Sequence, residues 1–316
     1  MSKTNGETGG GHGRRRRWGA LGGVTLLAAA ALAVLGPALG ASASAPVPGG
    51  YVLAGSNGGV FGFGTAGLYG SPVASGATLA KPVVGVAAVP DGKGYWLAAA
   101  DGGVFAYGDA GYFGSLPALG ARLRSPVVGV AAAPDGKGYW LVGADGGVFA
   151  FGSAGFYGSL RSLGVTPSSP VVGLAPASSG KGYWLVSADG GVFAFGGAVY
   201  YGNVPTELGG PSPSPVVGLA ATPDGGGYWV ARADGGLSRF GDAGFFGSAL
   251  TDGLVPAQPV VGIVATPDGK GYWLVAADGG VFTFGDAPYA GSVPGTLATA
   301  GVTLSAPVSV VGLAAP

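Results

Sequence analysis

Short apolar runs, each closed off by glycine or proline, recur along most of this chain. The stretch from Pro126 shows the pattern. Val127–Ala132 is apolar and β-branched at its start, and Pro134-Asp135-Gly136-Lys137-Gly138 then breaks it. Tyr139–Val142 follows, then Asp145-Gly146, then Gly147–Phe151, then a glycine-bounded turn and Phe156–Ser159. Runs of four to six residues rich in Val, Phe, Tyr and Trp and punctuated by Gly and Pro read as strands rather than helices. Asp-Gly between two such runs is a strong hairpin signal, because a type I′ turn needs positive φ. The unit therefore predicts a four-stranded antiparallel meander, strands A to D, in which every connection is two to five residues long.

The same unit begins at Pro82, Pro126, Pro170, Pro215 and Pro259, at spacings of 44, 44, 45 and 44 residues. Repeats of about 40–45 residues with four short strands are the signature of propeller blades. The B–C hairpin occurs six times, starting at Tyr51, Tyr95, Tyr139, Tyr183, Tyr228 and Tyr272. Strand A also occurs six times, but from Val83 to Val308, so the first unit lacks it and the last has nothing else. Pairing Val308–Ala314 with Tyr51–Gly70 completes a sixth unit. The expected fold is all-β: a six-bladed β-propeller of four-stranded antiparallel blades over residues 50–316, closed by a one-strand Velcro between the C-terminal strand and the N-terminal blade. Such closure limits exposed strand edges.

The repeat has a known likeness. Gly182-Tyr183-Trp184-Leu185-Val186-Ser187-Ala188-Asp189-Gly190-Gly191-Val192-Phe193-Ala194-Phe195-Gly196 resembles a repeat of actinobacterial secreted β-propeller repeat proteins. In that group the repeats stand alone or are appended to cell-wall hydrolases and peptidases. The resemblance spans roughly residues 50–316. It implies the fold and export, and it implies little about activity.

The N-terminal segment supports export. Arg14-Arg15-Arg16-Arg17 precede an apolar stretch from Trp18 to Leu39, and Ala41-Ser42-Ala43 supplies small residues before Ser44. Residues 1–43 read as a signal peptide and residues 44–49 as a short linker. The paired arginines before Trp18 resemble a twin-arginine signal without completing it, so Sec export is an equal reading; an uncleaved anchor is the rival to cleavage. The expected location is secreted, extracellular or cell-envelope associated.

Composition then narrows the chemistry. The chain is neutral overall, but from Ser44 onward 10 Lys and Arg face 14 Asp and Glu. A mildly acidic exported chain is a poor nucleic-acid binder, and no membrane insertion is expected after cleavage. There is no Cys, the single His is His12 within the signal segment, and the exported part holds one Glu, Glu207. Serine–histidine and cysteine–histidine nucleophile systems, histidine general bases and histidine-bearing zinc sites are thereby excluded. The expectation is a protein that is not an enzyme, has no cofactor, and acts as a monomer.

Three repeated features invite a ligand reading and yield to a structural one. Asp101, Asp145, Asp189, Asp234 and Asp278, with Asn57, could form a cation-binding ring. Asp or Asn before Gly is also what a hairpin turn requires, and Asn57 fits that account better. The acids Asp91, Asp135, Asp224 and Asp268 give way to Ser179 in one unit, and Asp109, Asp242 and Asp286 give way to Ser153 and Gly197, which also suits turns. Trp96, Trp140, Trp184, Trp229 and Trp273, with Val52 at the sixth position, resemble sugar-stacking platforms; inter-blade packing is the stronger reading.

Variation concentrates in the D–A connections, Pro72–Lys81, Leu116–Ser125, Leu160–Ser169, Val204–Ser214, Ala249–Gln258 and Val293–Ala306. Variable loops on a rigid scaffold usually carry specificity. Arg122, Arg124, Arg161 and Glu207 lie there and are the candidate ligand-face residues. The expected partner is a glycan, a cell-wall polymer or an extracellular protein. The alternatives are a cell-wall hydrolase or esterase, which would need two converging carboxylates, and a protein–protein adhesion module.

Overall fold

The computed structural model describes residues 49–300 and 309–316. Residues 1–43, expected to be a signal segment, most of the expected 44–49 linker and the end of the last connection lie outside the described residues. Among the described residues no helix is long and apolar enough to cross a membrane.

The chain is all-β, with six three-stranded antiparallel sheets in a repeated, propeller-like pattern. Sheet I joins β1 (Tyr51–Gly55) and β2 (Val60–Phe63) to β18 (Val310–Ala314). Sheet II holds β3 (Val83–Ala88), β4 (Gly94–Ala99) and β5 (Val104–Gly108). Sheet III holds β6 (Val127–Ala132), β7 (Gly138–Gly143) and β8 (Val148–Gly152). Sheet IV holds β9 (Val171–Pro176), β10 (Gly182–Ser187) and β11 (Val192–Gly196). Sheet V holds β12 (Val216–Ala221), β13 (Gly227–Arg232) and β14 (Leu237–Gly241). Sheet VI holds β15 (Val260–Ala265), β16 (Gly271–Ala276) and β17 (Val281–Gly285). The last strand pairs with the first hairpin, Val52 opposite Ala314 and Leu53 opposite Leu313. It starts at Val310, two residues later than the sequence pattern suggests. A bulge kinks the A–B pair of every sheet, as between Val127 and Gly129.

Among the described residues no strand pairing joins one sheet to the next. Side chains do so instead. The middle strands are buried along their whole length, as in Gly138–Gly143, because apolar residues cover both faces. One cluster packs Trp96 of sheet II on Tyr139 and Leu141 of sheet III. Others join III to IV, IV to V and V to VI. A fifth joins Trp273 of sheet VI to Tyr51 and Leu53 of sheet I, and a sixth joins Val52 of sheet I to Tyr95 and Leu97 of sheet II.

The expected fourth strand is not a strand. Phe156–Ser159 and its counterparts are extended connections with no ladder partner. Two features explain the difference. Gly158 sits at φ +125°, a left-handed conformation that interrupts strand geometry and that a side chain could not share with the nearby Phe195 ring. The polar backbone groups that a ladder would have satisfied are taken by a tyrosine of the next sheet. Tyr183 donates its hydroxyl to the Gly158 carbonyl at 2.5 Å and accepts the Tyr157 N–H at 3.2 Å. The five other tyrosines do the same, at 2.5–2.6 Å to Gly70, Gly114, Gly202, Gly247 and Gly291. Each phenol thus pairs one donor and one acceptor of a part-buried connection, at about 0.5–1.5 kcal/mol per bond.

The D–A connections contain short helical turns that alternation alone does not predict. In α1 (Pro72–Ser75) the Ser71 hydroxyl accepts the Ala74 N–H at 3.1 Å, Pro72 takes the first turn, and Gly76 ends it at φ +69°. Asn203, Pro205 and Gly209 repeat the device in α2 (Val204–Leu208). Val293–Ala300 forms α3, the longest. Polar cap, proline, then glycine is a readable helix signal.

Candidate functional site

The turn acids act as turn residues. Asp145 accepts the Gly147 N–H at 3.1 Å, and Asn57 and the four other B–C acids do likewise at 2.8–3.3 Å. Ser179 takes the place of the A–B acids by accepting the Lys181 N–H at 3.2 Å. Asp135 titrates below the usual carboxylate range, because the Lys137 N–H and the Ser153 hydroxyl stabilise its charged form. Among the described residues no three His, Cys, Asp or Glu side chains converge as a metal site would require. The five strand-B tryptophans are at most 3% exposed and belong to the packing between sheets.

Two of the candidate ligand-face arginines share a groove. It has a volume of about 460 Å³ and runs between the connections on either side of sheet III. Arg124 and Ser125 approach from the first connection, Arg161 and Val165–Pro170 from the second, and Asp145 from the B–C turn between them. The second loop is anchored by Leu160, which is fully buried. Ser159 and Ser162 exchange backbone and hydroxyl bonds at 2.8–3.0 Å, forming a tight turn over Arg161–Leu163 that Gly164 closes at φ +68°. Arg161 is held over the groove by that turn and by Asp145, at 3.4 Å. The pair is partly exposed and contributes only ~0–1 kcal/mol to stability, so it orients the guanidinium more than it stabilises the fold. No acidic partner neutralises Arg124 among the described residues.

On the far wall, Ser168 donates to Asp189 at 2.5 Å, and Ser187 donates to the same carboxylate at 2.5 Å. Burial raises the Asp189 carboxyl, but these hydroxyls and the Gly191 N–H outweigh it and leave its titration lowered. Asp189 therefore stays ionised and fixes the Ser168 edge of the groove. The groove is lined by two arginines, by the hydroxyl residues Ser125, Thr166, Ser168 and Ser169, and by Pro167 and Pro170. Its only carboxylate is Asp145, already engaged by Arg161 and the Gly147 N–H.

The two other candidates stand apart. Arg122 is exposed two residues from Arg124 but does not line the groove, and Glu207 is exposed on α2, on a different connection. Sequence reasoning missed Asp145 as a groove residue, since its turn role hid it. The first aromatic of the outer segments faces solvent: Tyr112 is 56% exposed and Phe156 57%.

Comparison with known proteins finds no matching family model and no matching curated protein.

Proposed function

We propose that the chain is a non-catalytic secreted binding module. In this reading the six sheets form a six-bladed ring closed between sheets VI and I, and the groove beside sheet III holds an anionic glycan or cell-wall polymer. The chain of inter-sheet clusters, which returns from sheet VI to sheet I, supports the ring. The observation that carries the function is the convergence of Arg124 and Arg161 from separate connections on one groove rich in hydroxyls and proline rings. Arginine matches carboxylate and phosphate oxygens bidentately, hydroxyls match sugar hydroxyls, and proline rings offer apolar contact. A single, already engaged carboxylate favours binding over hydrolysis, which needs an acid and a base together.

The test is saturable binding of the purified chain to an array of acidic and neutral glycans and to isolated cell wall. Arg124→Ala and Arg161→Ala are each expected to weaken binding about tenfold, Arg122→Ala and Glu207→Ala to leave it unchanged, and added salt to weaken it. Absence of binding, or equal loss in the Arg122→Ala variant, rejects the groove as the site.

A further inference from the structure

Five sheets hold an indole in the same way. Trp96, Trp140, Trp184, Trp229 and Trp273 donate Nε1–H to the carbonyls of Gly111, Gly155, Val199, Gly244 and Pro288, at 2.6–2.9 Å. Each acceptor lies 15 residues after its tryptophan. Each ring also packs on the strand-B tyrosine of the next sheet, with centroids 5.4–6.0 Å apart. The backbone thus builds a recurring seat for a flat bicyclic aromatic: an aromatic wall, an aliphatic floor and one carbonyl aimed at a ring N–H.

Sheet I has the seat without the indole. Val52 stands at the tryptophan position, the equivalent carbonyl is that of Gly67, and the tyrosine of the next sheet is Tyr95. All three line one cavity of about 210 Å³, together with Thr65, Ala66 and Ala88. Among the described residues no donor reaches the Gly67 carbonyl. The cavity is open to solvent on one side, also carries Asp91 on its rim, and by volume has room for a ring larger than benzene, which fits in ~150 Å³.

We infer that this cavity is a binding site for a small planar aromatic bearing an N–H donor, of indole size. The ring lies over Val52 against Tyr95, and its N–H donates to the Gly67 carbonyl. The site shares no residue with the arginine groove, so it stands whether or not that groove binds a polymer.

Equilibrium dialysis of the full chain against indole tests this. One mole per mole is expected to bind saturably, with a dissociation constant of about 0.1–1 mM. 1-Methylindole, which lacks the donor, is expected to bind on the order of fivefold more weakly. Val52→Trp supplies the missing ring and is expected to abolish binding; Val52→Phe gives a second, smaller obstruction. In the unaltered chain, NMR signals of the Val52 methyls and the Tyr95 ring are expected to shift along the titration. No saturation up to several times the expected constant, binding undiminished in both variants, or shifts confined to other residues overturns the assignment.

Discussion

Sheets III and V share a backbone plan, and among their differences two neighbouring positions change size in opposite directions. Sheet III ends β7 with Gly143 and carries Phe149 near the start of β8. Sheet V has Arg232 and Ser238 at those places. In sheet V the large aromatic has shrunk to serine and the glycine has grown to arginine, so volume is exchanged between neighbouring strands. Arg232 is 9% exposed and its Nη1 donates to Ser238 Oγ at 3.1 Å. Its Nε, 3.6 Å from Asp234, makes no hydrogen bond. The hydrogen-bonded framework around the exchange is kept: Trp229 and Trp140 both find their carbonyls, and Tyr228 and Tyr139 both clasp the preceding sheet. The difference separates two kinds of position. The Tyr–Trp–turn framework defines the fold, and the pair at the end of β7 or β13 is exchangeable provided both members change together.

The largest expected effect tests the shared framework. Trp140→Ala and Trp229→Ala should each cost ~3–5 kcal/mol in denaturant unfolding, and by similar amounts, since each removes a fully packed indole and orphans one carbonyl. Clearly unequal losses would show that the frameworks only look alike. Next comes the exchange itself. Ser238→Phe alone overfills sheet V and should cost ~1–3 kcal/mol. Combined with Arg232→Ala it should cost less than the two single changes added, with a coupling of at least ~0.5 kcal/mol. Strict additivity breaks the idea of paired exchange.

Near pH 10 the effect of pH is the mildest, and it is common to both sheets. Burial pushes Tyr139 and Tyr228 up to about 12, as it does Tyr51 and Tyr272. An unfolded tyrosine ionises near 10. Between the two values the folded chain keeps protons that the unfolded chain releases, so stability is intact below pH 10 and falls as pH rises toward 12. Thermal unfolding across that range, read beside phenolate absorbance, checks this. Full phenolate absorbance by pH 10.5 without unfolding would contradict it.

Strands A to C were legible because alternation and Gly-bounded turns are local signals, and the split sixth unit was legible because the termini carry complementary fragments. The outer segment was misread as a strand. Its hydrogen-bond partner is a tyrosine about 25 residues later, on another sheet, and no local pattern announces that. The candidate site was half legible. Variable loops and stray arginines marked Arg124 and Arg161, but which arginines meet depends on how adjacent connections lean, and Arg122 and Glu207 carried the same signal without reaching the groove. Val52 was visible as the exception among tryptophans, yet only the seat built by Gly67 and Tyr95 gives the exception a volume.

The pairing of β1 with β18 also sets how the domain answers force. The strands run antiparallel, and Val52 near the start of one lies opposite Ala314 at the end of the other. Chain entering before Tyr51 and chain leaving after Ala314 therefore depart side by side from one end of the ladder. Tension between them loads the hydrogen bonds one after another, as a zipper opens, and not all at once, as in shear. A tether drawn taut through both ends would open sheet I first and leave the other five sheets as a stack still joined by their tyrosines.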